Sequence, residues 1–213
     1  MTSTLKVRNI EMGEGAASDS KILFDGNAQD FHIGLDDSTD SLTIGLGSTL
    51  GTTSHMIFDA NGHVTKPLQS AFQAHNTATD QDQSTGTGIT VQFDTERFDQ
   101  NGDYNNSTNI FTAPVTGKYQ INAQVYLTSI PTNAGYLYIQ LITSNDVYTN
   151  IVDADAFDAE MTYYILNIAT ITDLDAGDTA KVIFYQQGGS TTVDIAGGGG
   201  SESNTSFSGF LVC

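Results

Sequence analysis

The sequence predicts an all-β protein. Short runs along most of the chain alternate apolar and polar residues, and Gly, Asp and Asn separate these runs, as expected for strands joined by tight turns. Ala, Leu, Glu and Lys never accumulate at the 3.6-residue spacing of an amphipathic helix. Strands spaced this regularly favour a sandwich or a jelly roll.

Composition limits what such a fold can do. Hydrophobic residues make up 38% of the 213-residue chain, below the usual share of about 45–50%, so we expect copies of the chain to complete one another's burial. Seven basic against 25 acidic residues give a formal charge of −18. This charge argues against nucleic-acid binding, which needs Lys and Arg to neutralise phosphates. An acidic surface also simply keeps a protein soluble.

The single cysteine and the lack of long apolar runs indicate the compartment of the protein and exclude an internal cross-link. The single cysteine, Cys213, is the last residue, so an intrachain disulfide is excluded. No N-terminal apolar run resembles a signal peptide, and no stretch approaches the roughly 20 apolar residues of a membrane span. We therefore expect assembly in a cytoplasm without membrane insertion.

The N-terminal residues 1–20 are polar and show little periodicity. They are either a disordered tail, since termini fray unless they are held, or an anchor segment that orders when it binds a larger assembly.

Residues 21–69 form the next predicted segment, in which short β-type runs repeat. The run 22–27 recurs at 56–62, and Ile33-Gly34-Leu35 recurs eleven residues later as Ile44-Gly45-Leu46. Units this short cannot bury an apolar face within one chain, which indicates stacking or intertwining. They resemble the stem segments of bacteriophage fibre proteins, in which three chains wrap into a β-rich shaft. An independent two-sheet domain is the alternative.

The remaining residues, 70–213, predict a larger β domain, and Pro67 marks the boundary before it. Its first strand is predicted at 70–74 and its second at 89–93. Further alternating runs occupy about 118–127, 135–143, 147–152, 161–171, 179–186 and 205–212.

Four short motifs lie in order along this domain: Phe111-Thr112-Ala113-Pro114, Gly117-Lys118-Tyr119, Leu174-x-x-Gly177-Asp178 and Phe207-Ser208-Gly209-Phe210-Leu211. This arrangement resembles the globular head of complement component one q and its tumour-necrosis-factor-like relatives. The resemblance implies a jelly roll that forms homotrimers and binds other molecules without catalysis.

Aromatic residues support the same interpretation. Tyrosines fall on both faces of the predicted strands, so some face the core and others a second apolar surface, which in a jelly-roll trimer is the threefold axis. The residues assigned to core or trimer contacts are Phe111, Tyr119, Tyr126, Phe184, Phe207 and Phe210.

One loop carries oxygen ligands at alternate positions, as a calcium loop does: Asp99, Asn101 and Asp103. It lacks the downstream bidentate Glu, so a purely structural turn is the other interpretation. Ca²⁺ or another divalent cation is the only cofactor that the sequence suggests.

The receptor-binding end follows from connectivity. If the strands from residue 118 onward alternate in direction, the segments 128–134, 153–160 and 187–204 share one end of the domain, opposite the end where the chain enters from the stem. Binding residues favour such loops. The candidates are Thr132, Asn133, Asp153, Asp155, Asp158, Ser190, Thr191, Ser201 and Asn204.

The acidic residues of 153–160 do not favour catalysis. Paired carboxylates hydrolyse glycosides when they are held across a sugar, but the acidic residues of 153–160 lie in one short loop, which is typical of a solvated or cation-binding segment. We expect no enzyme.

The predicted function is therefore that of a trimeric bacteriophage fibre or spike on the virion surface. Residues 1–20 would bind other virion proteins, and the head would bind a host-surface glycan or protein. A capsid decoration without a specific receptor is the alternative. A glycan depolymerase is less favoured, and a secreted complement-like ligand is opposed by the missing secretion signal.

Overall fold

Strands dominate the computed structural model, which describes residues 8–77, 81–83, 85–198 and 202–213. The chain divides into unit 1, Met1–Gln69, and unit 2, Ser70–Cys213. The helical part of the described residues is one 3-10 turn, Ala154–Ala156. The predicted all-β class is confirmed.

Unit 1 is a single antiparallel sheet whose strands pair in chain order. Its strands are β1 (Ser20–Phe24), β2 (Phe31–Asp36), β3 (Ser41–Leu46), β4 (Ser54–Phe58) and β5 (Val64–Thr65). The two repeated Ile-Gly-Leu motifs lie on neighbouring strands, where Ile33 is opposite Ile44. The alternative of a two-sheet domain for this segment is wrong, because one sheet accounts for all five strands.

Unit 2 is a sandwich of two antiparallel sheets. Its shorter strands are β6 (Ala71–His75), β7 (Gln81–Gln83), β8 (Ile89–Thr90), β9 (Thr95–Asp99), β10 (Tyr104–Asn105) and β11 (Ile110–Thr112). The longer strands and the C-terminal ones are β12 (Gly117–Ile130), β13 (Ala134–Thr143), β14 (Val147–Asp153), β15 (Met161–Leu174), β16 (Thr179–Gly188), β17 (Val193–Ile195) and β18 (Ser206–Leu211).

The first sheet has the order β10-β11-β16-β13-β14, with β8 also on β16. The second has the order β7-β17-β12-β18-β6-β9, with β15 also on β12. The last strand of the chain therefore lies between β6 and β12, in the interior of its sheet. Non-sequential neighbours of this kind are typical of a jelly roll, as the sequence predicts.

The core between the two sheets is built from alternating inward side chains. On β12, Tyr119, Ile121, Ala123 and Val125 are buried, while Gln120, Asn122 and Gln124 between them face outward. Four of the predicted core or trimer residues, Phe111, Tyr119, Phe184 and Phe207, lie in this core. The other two do not: Tyr126 is half-buried and Phe210 is exposed, both on the outer face of the second sheet.

Two parts of unit 2 differ from the sequence-based expectation. The predicted strand 89–93 shortens to β8, although Val91 and Phe93 remain fully buried. The prediction of one long loop over 187–204 is wrong, because this segment contains β17, whose Val193 and Ile195 are core residues. Apolar burial at these two positions outweighs the glycine-rich flanks that made the segment look irregular.

Candidate functional site

Three strand connections meet at one end of unit 2, which we call the tip. They are 131–133 between β12 and β13, 154–160 between β14 and β15, and 189–192 between β16 and β17. Asn133 joins two of them, because its side-chain oxygen accepts hydrogen bonds from the Ser190 backbone N–H at 2.9 Å and the Ser190 hydroxyl at 3.2 Å. The predicted convergence is confirmed for these three connections, although the predicted segment 187–204 extends beyond the tip.

A cleft of about 700 Å³ opens at the tip between the end of β12, the start of β15 and the segment 191–194. Its walls include Ser129, Glu160, Thr162, Tyr163, Thr191 and Asp194. Hydroxyl and carboxylate oxygens beside an exposed aromatic ring are the groups that hydrogen-bond and stack on polar, ring-shaped ligands. Of the predicted receptor-binding residues, Thr191 lines this cleft and Thr132 and Asn133 are exposed beside it.

The acidic candidates form a second group at the tip. Asp153 ends β14 opposite Tyr136 of β13, and Asp155 and Asp158 follow it in the connection to β15. A side-chain hydrogen bond with Asp155 and the negative charge of that residue raise the pKa of Asp153. These carboxyls crowd each other, so they attract cations when both are ionised.

Asn204 is separated from the tip. Its backbone oxygen accepts a 2.9 Å hydrogen bond from the side chain of Gln124, near the middle of β12. Strand β18 pairs with the part of β12 from Tyr119 to Gln124, while β17 pairs with Leu127 and Thr128 nearer the tip. Asn204, two residues before β18, therefore lies along the flank of the sheet and not at the tip. Ser201 lies outside the described residues.

The candidate metal loop is an ordered turn. The Asp99 carboxylate accepts hydrogen bonds from the backbone N–H groups of Gly102, Asp103 and Tyr104 at 2.9–3.1 Å. A cation would have to share these oxygens with the backbone. Within the described ranges, no three His, Cys, Asp or Glu side chains come together as a metal site. Cation binding by Asp99, Asn101 and Asp103 stays a prediction.

The opposite end of unit 2, the base, holds both the first and the last residues of this unit. The Leu211 N–H donates to Ser70 O at 3.0 Å, and the Lys118 N–H donates to Cys213 O at 2.8 Å. The turn after β15 also lies here, with Gly177 at a φ of 94°, which favours glycine. The last residues of the chain therefore lie at the end opposite the tip.

Asp178 holds this base turn together. Its carboxylate accepts hydrogen bonds from the Asp175 backbone N–H at 2.9 Å and from the Asn145 side chain at 3.0 Å. The bond from Asp175, assisted by Asn145, lowers the pKa of Asp178.

This lowered pKa makes stability depend on pH. Because the folded pKa lies below the unfolded value of about 3.9, the contribution of Asp178 is fully present above that value and is lost as pH falls through the folded pKa. We expect the wild type to lose more stability between pH 6 and pH 3 than the Asp178→Asn variant, which has no carboxyl at this position. Urea unfolding midpoints at both pH values measure the difference, and equal losses would contradict it.

The outward tyrosines form two separate surfaces, where the sequence suggested one. Tyr136, Tyr138 and Tyr185 stack on the outer face of the first sheet, with Tyr138 and Tyr185 ring centroids 5.0 Å apart. Partial burial, followed by the neighbouring Tyr185, raises the pKa of Tyr138. Tyr126 and Tyr163 stack 5.8 Å apart on the outer face of the second sheet. The alternating sequence pattern predicts that these rings face outward. Which rings become neighbours depends on how the strands pair in the sheet, and the sequence pattern does not give this pairing.

Comparisons with known proteins agree with this architecture. The model of the C1q domain family matches residues 71–212. The globular domain of a zebrafish complement 1qA protein superimposes with a TM-score of 0.50 at 18% identity, covering 68% of this chain and 98% of that one. Eiger TNF from S. frugiperda has a TM-score of 0.48 at 12% identity, covering 68% and 94%. A search of curated protein sequences finds no match.

Among the described residues, no helix is long and apolar enough to cross a membrane.

Proposed function

The chain belongs to the C1q domain family, and from this premise we propose that it is a homotrimeric binding protein of the bacteriophage fibre or spike type. C1q and TNF-like domains are jelly rolls that form trimers and generally bind other molecules without catalysis. In the proposed assembly, the tip of each head contacts a host-surface glycan, and the N-terminal residues attach the fibre to the virion.

The observation that carries this proposal is the separation of the two ends of unit 2. The chain enters at the base, where Ser70 and Cys213 lie, and three connections converge at the tip, where the cleft opens between β12, β15 and the segment 191–194. A head attached through its base leaves its tip accessible. Loops mounted on a rigid sandwich are a common place for recognition residues.

The trimer contact is proposed on the outer face of the second sheet. This face carries exposed apolar side chains on β15 and β18, with Ile165 45% exposed, Ile171 56% and Phe210 47%. Between them, the outward residues of β12 are polar, including Gln120 and Asn122. A polar centre flanked by apolar side chains supplies both hydrogen bonds and apolar area to an interface.

Three tips would make weak contacts effective. A single open cleft covers only part of a bound sugar, so its affinity for one sugar unit is expected to be low. Three copies held in one trimer turn the second and third contacts into intramolecular events, which raises the overall affinity by about 10²–10⁴. Three copies carry −54 in place of −18, a net charge that keeps the assembled trimers soluble and apart from one another.

The purified full chain tests the proposal. We expect the mass of a trimer by light scattering in about 0.15 M salt, where charge repulsion is screened beyond roughly 8 Å. On an array of bacterial capsular and lipopolysaccharide glycans, Thr191→Arg and Thr162→Arg should each reduce binding at least tenfold, because the long side chain fills the tip cleft without removing a core group.

The matched control is Ala176→Arg, which adds the same exposed side chain at the base. It should bind like the wild type. A monomer mass, or equal binding by the tip and base variants, would contradict the proposal. A trimer that binds neither the array nor whole bacterial cells would favour the capsid decoration instead.

A further inference from the structure

Unit 1 presents the reverse of the usual arrangement of a one-sheet domain. The face of β2 and β3 that carries polar residues is the buried one: His32, Asp36, Ser41 and Thr43 are each at least nine-tenths buried. On the other face the apolar residues are uncovered. An antiparallel sheet normally buries its apolar face and exposes its polar one.

The polar face is covered by the chain itself. The segment 47–53 between β3 and β4 folds across it, with Leu50 buried, and the His32 ring nitrogen Nδ1 donates to Gly47 O at 2.9 Å. The Lys21 ammonium also donates to Ser48 O. This side of the sheet is therefore already occupied and needs no partner.

The opposite face, which we call the stem face, is continuous across all five strands. Register pairs place Ile22 beside Ile33, Ile33 beside Ile44, and Ile44 beside Met56. Its other members follow from the same alternation: Phe24, Phe31, Leu35, Leu42, Leu46, Phe58 and Val64. Every one of these eleven side chains is uncharged and apolar, and each is half-buried or exposed.

The size of the stem face is that of an interface. Phe24 is 53% exposed, Leu35 46% and Ile33 37%. Seven of the eleven side chains are 37–53% exposed, and each presents on the order of 80 Å². With smaller contributions from the four partly buried ones, the face presents roughly 700 Å², close to the area that one partner contributes to a stable interface. Apolar patches this large are uncommon on monomers.

We propose that the occupant of the stem face is the same face of two further copies, so that three unit 1 sheets pack around a common axis and enclose an apolar interior. This rests on the homotrimer of the proposed function, because three joined heads bring three stem faces to a high local concentration. Self-packing suits these eleven side chains, since it buries no Asp, Glu, Lys or Arg group among three acidic chains. The His55 ring, which packs against Phe31, is itself exposed. The neighbouring residues 8–19 are a poor cover, because Ile10 and Met12 are their large apolar residues and both are exposed.

Single thiols in the full chain test this packing. In a Cys213→Ser background, Ile33→Cys and Ile44→Cys each place one thiol on the stem face, and Thr49→Cys places one on the exposed covering segment as the matched control. We expect maleimide labelling of the two stem-face thiols to be at least tenfold slower than labelling of the control. On air oxidation, the stem-face variants should form chain-to-chain disulfides in at most two of every three chains, since the third thiol of a trimer lacks a partner.

The outcomes separate this inference from the proposed function. A trimer mass with stem-face thiols that label as fast as the control would overturn the stem packing and leave the head trimer standing. Slow labelling without chain-to-chain disulfides at either position would show that the stem face is covered by residues of the same chain, which would also overturn the stem packing. A monomer mass would overturn both.

Discussion

Replacing Phe72 by alanine should cost the chain about 3–5 kcal/mol of unfolding free energy, the range observed for buried aromatic truncations. Phe72 lies at the centre of an aromatic cluster and is 1% exposed. Its ring centroid is 4.8 Å from that of Phe111, 5.0 Å from Phe207 and 5.1 Å from Tyr104. Truncation removes the shared contacts of three rings at once and leaves a cavity that neighbouring strands cannot close without breaking their pairing.

The measurement is urea unfolding of the full chain at one fixed protein concentration, since trimer formation makes apparent stability concentration-dependent. Tyrosine near-ultraviolet circular dichroism reports the transition, because the chain has no Trp. Phe157→Ala is the matched control: the same truncation at an exposed position on the tip should change stability by less than about 1 kcal/mol. Similar losses for the two variants would show that the Phe72 cluster is not the core of the domain.

Gly209→Val should cost about 3 kcal/mol, at the upper end of the range for overpacking a core. A Cβ atom at this position would lie 2.6 Å from Ile121 Cδ1, 2.9 Å from Phe72 Cε1 and 3.2 Å from Gln120 O. The Phe72 ring cannot turn away, because three other rings hold it. Gly209→Ala adds one carbon in place of three and should cost less.

A compensating substitution checks the cause. Ile121→Val removes the Cδ1 atom nearest to the added Cβ, so Gly209→Ala should cost less in an Ile121→Val background than in the wild type. Additive losses in the same urea experiment would show that the glycine is needed for another reason, such as the backbone conformation of β18.

Long strands of unit 2 were predictable because each carries a full alternating pattern. The run predicted at 118–127 is β12, and that predicted at 161–171 is β15. Strand β9 was missed because its residues are half-buried or exposed and include Glu96 and Arg97, so no alternation marks it. Strand β17 has three residues, which is too short to form a pattern between glycine-rich flanks.

The candidate site was predictable only as far as strand direction determines it. Counting alternating strands brought the segments of Asn133 and Ser190 to one end. The same argument placed Asn204 at the tip, although it lies on the flank of β12. The error arose because strand β17 was not predicted, so the whole of 187–204 was treated as one connection. The uncovered stem face is a comparable case: its apolar spacing is visible in the sequence, but the covering of the opposite, polar face depends on how the segment 47–53 folds back.

The place of the last strand has a consequence for how the protein is made. Strand β18 fills the gap between β6 and β12, and its register pairs with β12 run from Ser206 to Leu211. Until these residues have been made and have left the ribosome, the edges of β6 and β12 remain unpaired, and unpaired edges invite wrong partners. A chain translated only as far as β17 therefore cannot close its second sheet, and we expect heads to pair into trimers only after β18 has been made.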